Sequence, residues 1–114
     1  MQVSYSAESA LDSTLLRNDL RVLLVYPNTR DVAMANLGFQ QVYSLLNQID
    51  GVECDRYAFP VGWKPEMQSL DREALRSIEL QQHPLEFDVI AFSISFEPDY
   101  LNAVLALKYF GIPL

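Results

Sequence analysis

Residues Arg21 to Gly38 read RVLLVYPNTRDVAMANLG, and what this stretch becomes decides the fold. Val22, Leu23, Leu24 and Val25 are four consecutive apolar residues, two of them different in kind from the leucines by being β-branched at either end. So short a run without alternation suits a strand buried on both faces, the inner strand of a parallel sheet. The strand spans about Leu20 to Tyr26. Tyr26, Pro27 and Asn28 should stop it, because proline has no amide for a ladder and asparagine favours turns. A loop follows, then a helix over about Ala33 to Gln48. In an open α/β sheet ligands bind beyond the carboxyl ends of the strands, so this loop is the first place to seek a function.

The chain has 114 residues, half of them hydrophobic and 20% charged. That is one domain's worth, able to bury roughly two thirds of the surface its unfolded chain exposes. Two segments are expected: a polar arm over 1–19 and an α/β domain over 20–114. No apolar run approaches the ~20 residues of a membrane span, and the start MQVSYSAESALDS has no basic and apolar signal pattern. A cytoplasmic protein with no membrane partner is expected. A net charge of −7, with the eight Lys and Arg scattered, argues against nucleic acid. Cys54 is the sole cysteine, so this chain by itself holds no disulfide, zinc knuckle or iron–sulfur cluster. It is expected to be a small packing residue.

In the first helix, Gly38, Val42, Leu45, Leu46 and Ile49 recur at three- and four-residue intervals and should lie on the sheet. Asp50 and Gly51 end it. Val52 to Phe59 alternates and reads as a half-covered second strand near the sheet edge. Pro60, Gly62 and Pro65 then break regular structure around Trp63. Pro65 to about Ala74 suits a short helix, while Leu75 to Leu80 fits helix and strand equally. Phe87 to Ser95, FDVIAFSIS, is the second strongly apolar run and belongs beside the first strand, in the centre of the sheet. Pro98 opens a further helix whose first turn carries Glu97 and Asp99 and whose apolar stripe is Leu101, Val104 and Leu105, with Lys108 at its end. Gly111 closes it. Ile112, Pro113 and Leu114 look like the start of another strand, which suggests a fragment truncated at its C-terminus.

The chemistry-bearing motifs are mostly absent. The first loop has neither Gly-x-Gly-x-x-Gly nor Gly-x4-Gly-Lys-Ser/Thr, which excludes a dinucleotide cradle and a P-loop. PNTRDVA also lacks the hydroxyl-rich run with which a flavodoxin holds flavin phosphate, and the acidic cluster of a phospho-receiver is missing. His83, the one histidine, lies before the third strand, away from the crevice, and reads as an exposed loop residue rather than a metal ligand. No carboxylate pair marks acid–base catalysis. Trp63 and the tyrosines are read as core before they are read as a stacking surface. No catalytic and no metal-ligating residue is expected.

Tyr26-Pro27, Met34-Ala35-Asn36-Leu37-Gly38, Tyr43, Leu46-Asn47, Arg56-Tyr57-Ala58-Phe59-Pro60, Glu86 to Ser93, Phe96-Glu97, Asp99-Tyr100, Asn102 and Gly111 to Leu114 occur in that order. Together they resemble the amino-terminal domain of a group of radical S-adenosylmethionine (radical SAM) proteins, in which a cobalamin-binding-like α/β domain precedes a radical barrel. The resemblance spans about Arg21 to Leu114, and its most specific blocks are NLG and FDVIAFS. It implies S-adenosylmethionine and a 4Fe-4S cluster in the downstream domain only, since the Cys-x3-Cys-x2-Cys motif is missing here. The Asp-x-His-x-x-Gly motif of mutase-type cobalamin domains is missing too: Asn28-Thr29-Arg30-Asp31-Val32 holds no histidine.

The expected fold is therefore a three-layer α/β sandwich of Rossmann or flavodoxin type with a mostly parallel sheet. The expected function is a non-catalytic accessory domain whose partner is the downstream radical SAM barrel. Its crevice residues are Tyr26, Pro27, Asn28, Asn36, Leu37, Gly38, Ser93, Ser95 and Glu97. Either they hold cobalamin without histidine ligation, or the domain has lost the cofactor and packs on the barrel, the version slightly favoured. The rival is a stand-alone interaction or dimerisation domain, a homodimer using exposed sheet edges and the Phe59 to Trp63 segment.

Overall fold

A computed structural model describes residues 20–113. The polar arm expected at 1–19 and Leu114 lie outside the described residues. The elements are β1 (Leu20–Thr29), α1 (Arg30–Met34), α2 (Leu37–Asn47), β2 (Val52–Phe59), β3 (Val89–Phe92) and α3 (Pro98–Phe110). The three strands form one parallel sheet in the order β2-β1-β3. Leu20 pairs with Val52 at one end of the β1–β2 ladder, and Val22 to Val25 pair in step with Val89 to Phe92. This is the α/β sandwich expected, with β1 at its centre.

The run Val22–Val25 is buried because alternate side chains of a strand enter opposite layers. Leu23 and Val25 join Tyr57, Phe59, Trp63, Phe87, Ala106 and Phe110 on the α3 side. Val22, Leu24 and Tyr26 join Ala33, Phe39, Cys54 and Ala58 on the α2 side. Cys54 is a core residue, as expected, and Trp63 is buried with its ring stacked on Phe59, 4.0 Å between centroids.

Several boundaries differ from the sequence reading. β1 runs on through Pro27 to Thr29, but its register shifts between Tyr26 and Thr29. A proline removes a ladder bond without forbidding extended backbone, so the strand outlives its pairing. The single helix expected over 33–48 is two, because Asn36 takes an extended conformation (φ −92°, ψ 113°) and caps α2, accepting a hydrogen bond from the Phe39 amide at 2.8 Å. The face of α2 on the sheet is Phe39, Tyr43 and Leu46, whereas Gly38, Val42, Leu45 and Ile49 are exposed. Of the expected stripe only Leu46 packs inward.

β2 has the expected span, but it is buried rather than half-covered. Asp55 is almost wholly buried and accepts bonds from the amides of Arg56 (2.7 Å), Glu79 (3.1 Å) and Leu80 (2.8 Å). With the Ile78 amide on the Arg56 carbonyl (2.8 Å), this ties residues 78–80 along the outer edge of β2. The stretch Leu75 to Leu80 is thus neither helix nor strand, and Pro65 to Ala74 forms no helix beyond a single 3-10 turn at Glu73–Leu75. β3 is adjacent to β1 as expected, covers only Val89–Phe92, and among the described residues has no strand on its other side. α3 starts at Pro98 and stops at Gly111 (φ 87°), as anticipated. It rests on Ala103, Ala106 and Phe110, while Leu101 and Val104 of the expected stripe face outward. Alanines let the helix approach the sheet closely, which the bulkier stripe would prevent.

Candidate crevice at the topological switch point

The chain leaves β1 toward α1 and α2 on one face, and leaves β3 toward α3 on the other. The two loops therefore part between neighbouring strands, and their carboxyl ends frame a crevice. Tyr26, Asp31, Val32, Ala35, Asn36 and Phe96 line it, around a volume of about 400 Å³. Phe96 stands at its rim, 62% exposed.

Asn36 joins the two sides. Its amide nitrogen donates to Ser95 Oγ at 3.1 Å and to the Tyr26 hydroxyl at 3.4 Å, while its oxygen caps α2. A second link runs beneath: Asn28 Nδ2 donates to Asp99 Oδ1 at 3.3 Å, and Asn102 Nδ2 donates to the same oxygen at 3.3 Å. Asn28 Oδ1 meanwhile accepts from the Thr29 amide at 2.8 Å, an asparagine turn that steers the chain into α1. Asp99 is only 2% exposed, and its Oδ2 has no partner among the described residues. The Ser93 amide reaches the Val25 carbonyl at 2.9 Å and holds the loop after β3 against β1.

Of the nine residues expected here, Tyr26, Asn36 and Ser95 form one hydrogen-bonded group, and Asn28 belongs to the adjoining link with Asp99. Pro27 is buried beneath the crevice. Ser93 acts through its backbone. Leu37 and Gly38 open α2, where both are exposed, and a Cβ at Gly38 would come within 3.3 Å of Asn36 Oδ1 and crowd the cap. Glu97 is exposed and makes no side-chain cap on α3. Asp99 and Asn102 were not among the expected site residues, since an acid in a first helical turn is ordinarily satisfied by the helix dipole alone.

The donors here do not fit a corrinoid held through a protein imidazole. His83 sits before β3 at the amino end of the sheet, half-buried rather than exposed, and its Nδ1 accepts from the Leu85 amide at 3.1 Å to cap the turn Pro84–Glu86. Among the described residues no three His, Cys, Asp or Glu side chains converge as a metal site, and no helix is long and apolar enough to cross a membrane. A larger hollow of about 550 Å³ lies beyond β2, where Arg30 and Arg76 alternate with Asp71 and Glu73. Its mixed charge favours neither anion nor cation.

A family model described as "Radical SAM proteins, N-terminal" matches residues 38–114. No curated protein and no solved structure matches the chain.

Proposed function

The chain belongs to the family of radical SAM protein N-terminal domains, and from that premise we propose a non-catalytic accessory domain, cobalamin-binding-like in architecture, that has lost the cofactor. One observation carries this reading. Asn36 is spent on Ser95 and Tyr26, and Asn28 and Asn102 are both spent on Asp99 Oδ1, so the side-chain amides that face the crevice are already paired within it. A flat ring seated on the strand ends would have to break the Asn36–Ser95 bridge, which spans the space between the two loops. A lone buried cysteine supports the non-catalytic part of the reading, because a radical cluster needs three thiolates. The domain's partner in this reading is the radical SAM domain of the same protein, in the cytoplasm, with S-adenosylmethionine and the 4Fe-4S cluster bound there.

Titration of the chain with hydroxocobalamin, followed by visible absorbance, tests the loss of cofactor. The expected result is no saturable spectral change. A saturable change that weakens in Asn36→Ala would overturn it and return the crevice to corrinoid binding without histidine.

A further inference from the structure

Residues 60–88 carry the chain from β2 to β3. A crossover between parallel strands is usually an α-helix, yet this one holds only two 3-10 turns, Glu73–Leu75 and Pro84–Glu86. Connections longer than about 12 to 15 residues without regular structure are uncommon in compact domains, and those that are not mere linkers serve as binding loops or lids. This one is fastened to the core. Trp63 stacks on Phe59, the Tyr109 hydroxyl donates to the Met67 carbonyl, and the Tyr57 hydroxyl donates to the Ala74 carbonyl at 2.6 Å. So pinned, residues 60–76 wall the hollow of about 550 Å³ beyond β2, with Arg30 and Ala58 on its other side. All of its walls belong to the segment 30–76, on the side of β1 away from β3. Its size is that of a small-molecule site.

Arg30, Asp71, Glu73 and Arg76 line the hollow, and none of them joins an ion pair among the described residues, where the pairs are Arg21–Glu53 and Arg56–Glu79. Asp71 accepts from the Ala74 amide at 2.9 Å, and Arg76 donates to the Gln81 carbonyl at 2.8 Å. The side chains of Arg30 and Glu73 make no hydrogen bond among the described residues. Local structure does not account for Arg30 either, since a cation in the first turn of a helix opposes the helix dipole. Between the charges the lining is apolar, with Pro60 and Leu70 below and Val61 and Met67, 72% and 43% exposed, at the rim. A methionine there can adapt its shape to what it meets. A lone anion would face Asp71 and Glu73, and a lone cation would face the two arginines; a ligand bearing both charges satisfies both. We propose that the hollow binds a small zwitterion with an apolar body, an apolar α-amino acid or a short peptide of such residues. Its carboxylate sits on the Arg30 guanidinium, which offers two parallel donors, and its ammonium on Glu73. The site is separate from the crevice, and this inference is independent of the cofactor reading.

Amide-resolved NMR titration of the 114-residue chain with leucine and with leucyl-leucine tests it. The expected outcome is saturable shifts confined to residues 58–76 and the surroundings of Arg30. Saturation by leucine makes the ligand a free amino acid, and saturation by leucyl-leucine alone makes it a peptide. N-acetyl-leucyl-leucine, which lacks the ammonium, and leucyl-leucinamide, which lacks the carboxylate, should each bind about tenfold or more weakly than leucyl-leucine. Arg30→Gln and Glu73→Gln should each weaken binding of the unblocked compound by a similar factor. Both positions are exposed, so the variants should keep the parent circular dichroism. No saturable shift with either compound, equal binding of the blocked compounds, affinity unchanged in either variant, or shifts centred on the crevice around Asn36 overturns the proposal.

Discussion

At the scale of single residues, reactivity follows burial more closely than residue type. Cys54 lies between Asn47 and the core, its amide accepted by Asn47 Oδ1 at 2.8 Å. Desolvation, aided by the Asp55 charge, pushes its thiol up to about 11. At pH 8 the thiolate is then on the order of one molecule in a thousand, and the thiolate is the nucleophile. We expect an aromatic disulfide reagent to label the native chain slowly and the urea-unfolded chain at once; prompt labelling in native buffer would show an accessible thiol. The sequence indicated a packing cysteine because it is alone and flanked by strand residues. It did not indicate Asp99 as a clamp, because Asn28 lies 71 residues away along the chain.

At the scale of elements, the segment 77–82 is organised by one carboxylate. Burial alone would raise the pKa of Asp55, but the hydrogen bonds it takes from Glu79, Ser77, Leu80 and Arg56 outweigh that and hold it below the usual range. A depressed carboxyl stabilises the fold above its unfolded pKa of about 4 and ceases to do so as pH falls through its folded value. Glu79 opposes part of this, since burial lifts its pKa although Arg56 pulls the other way. Urea midpoints of the parent should therefore fall on acidification below about pH 4. Asp55→Asn should be less stable at neutral pH and lose much of that acid dependence; an unchanged profile would remove Asp55 from its role. The alternation of β2 was legible in VECDRYAF, yet the fit of both helix and strand to Leu75–Leu80 had a physical cause. That segment takes its hydrogen bonds from β2 and from its own loop, so its local pattern carries no period.

At the scale of the whole molecule, the stability rests on β1. Leu24 is buried between β1's two partners in the α2 layer and Leu101 stands in solvent, though both are leucines in regular elements. Leu24→Ala should cost about 2 to 5 kcal/mol in urea unfolding, and Leu101→Ala less than about 0.5 kcal/mol; equal costs would mean that α3 has a covered outer face. Of the Phe59 to Trp63 segment, expected as an interaction surface, Phe59 and Trp63 are core while Val61 between them is 72% exposed.

By itself the sequence determined the class of fold and the adjacency of β1 and β3, because only strands covered on both faces sustain uncharged runs such as VLLV and VIAF. It also determined where the last helix stops, through the left-handed Gly111; Gly51, also left-handed, sits four residues past the end of α2, which already stops at Asn47. Which of two apolar stripes on α2 and α3 meets the sheet was decided by tertiary structure alone. Each helix carries more apolar residues than one face can bury, and the choice falls to the flank whose polar neighbours, Gln40, Asn47 and Tyr109, find partners on or beside β2. The crevice followed the same rule. Its position was legible from strand order, and its closure by Asn36, Ser95, Asn28 and Asp99 was not, because those contacts join residues that meet only after the sheet has formed.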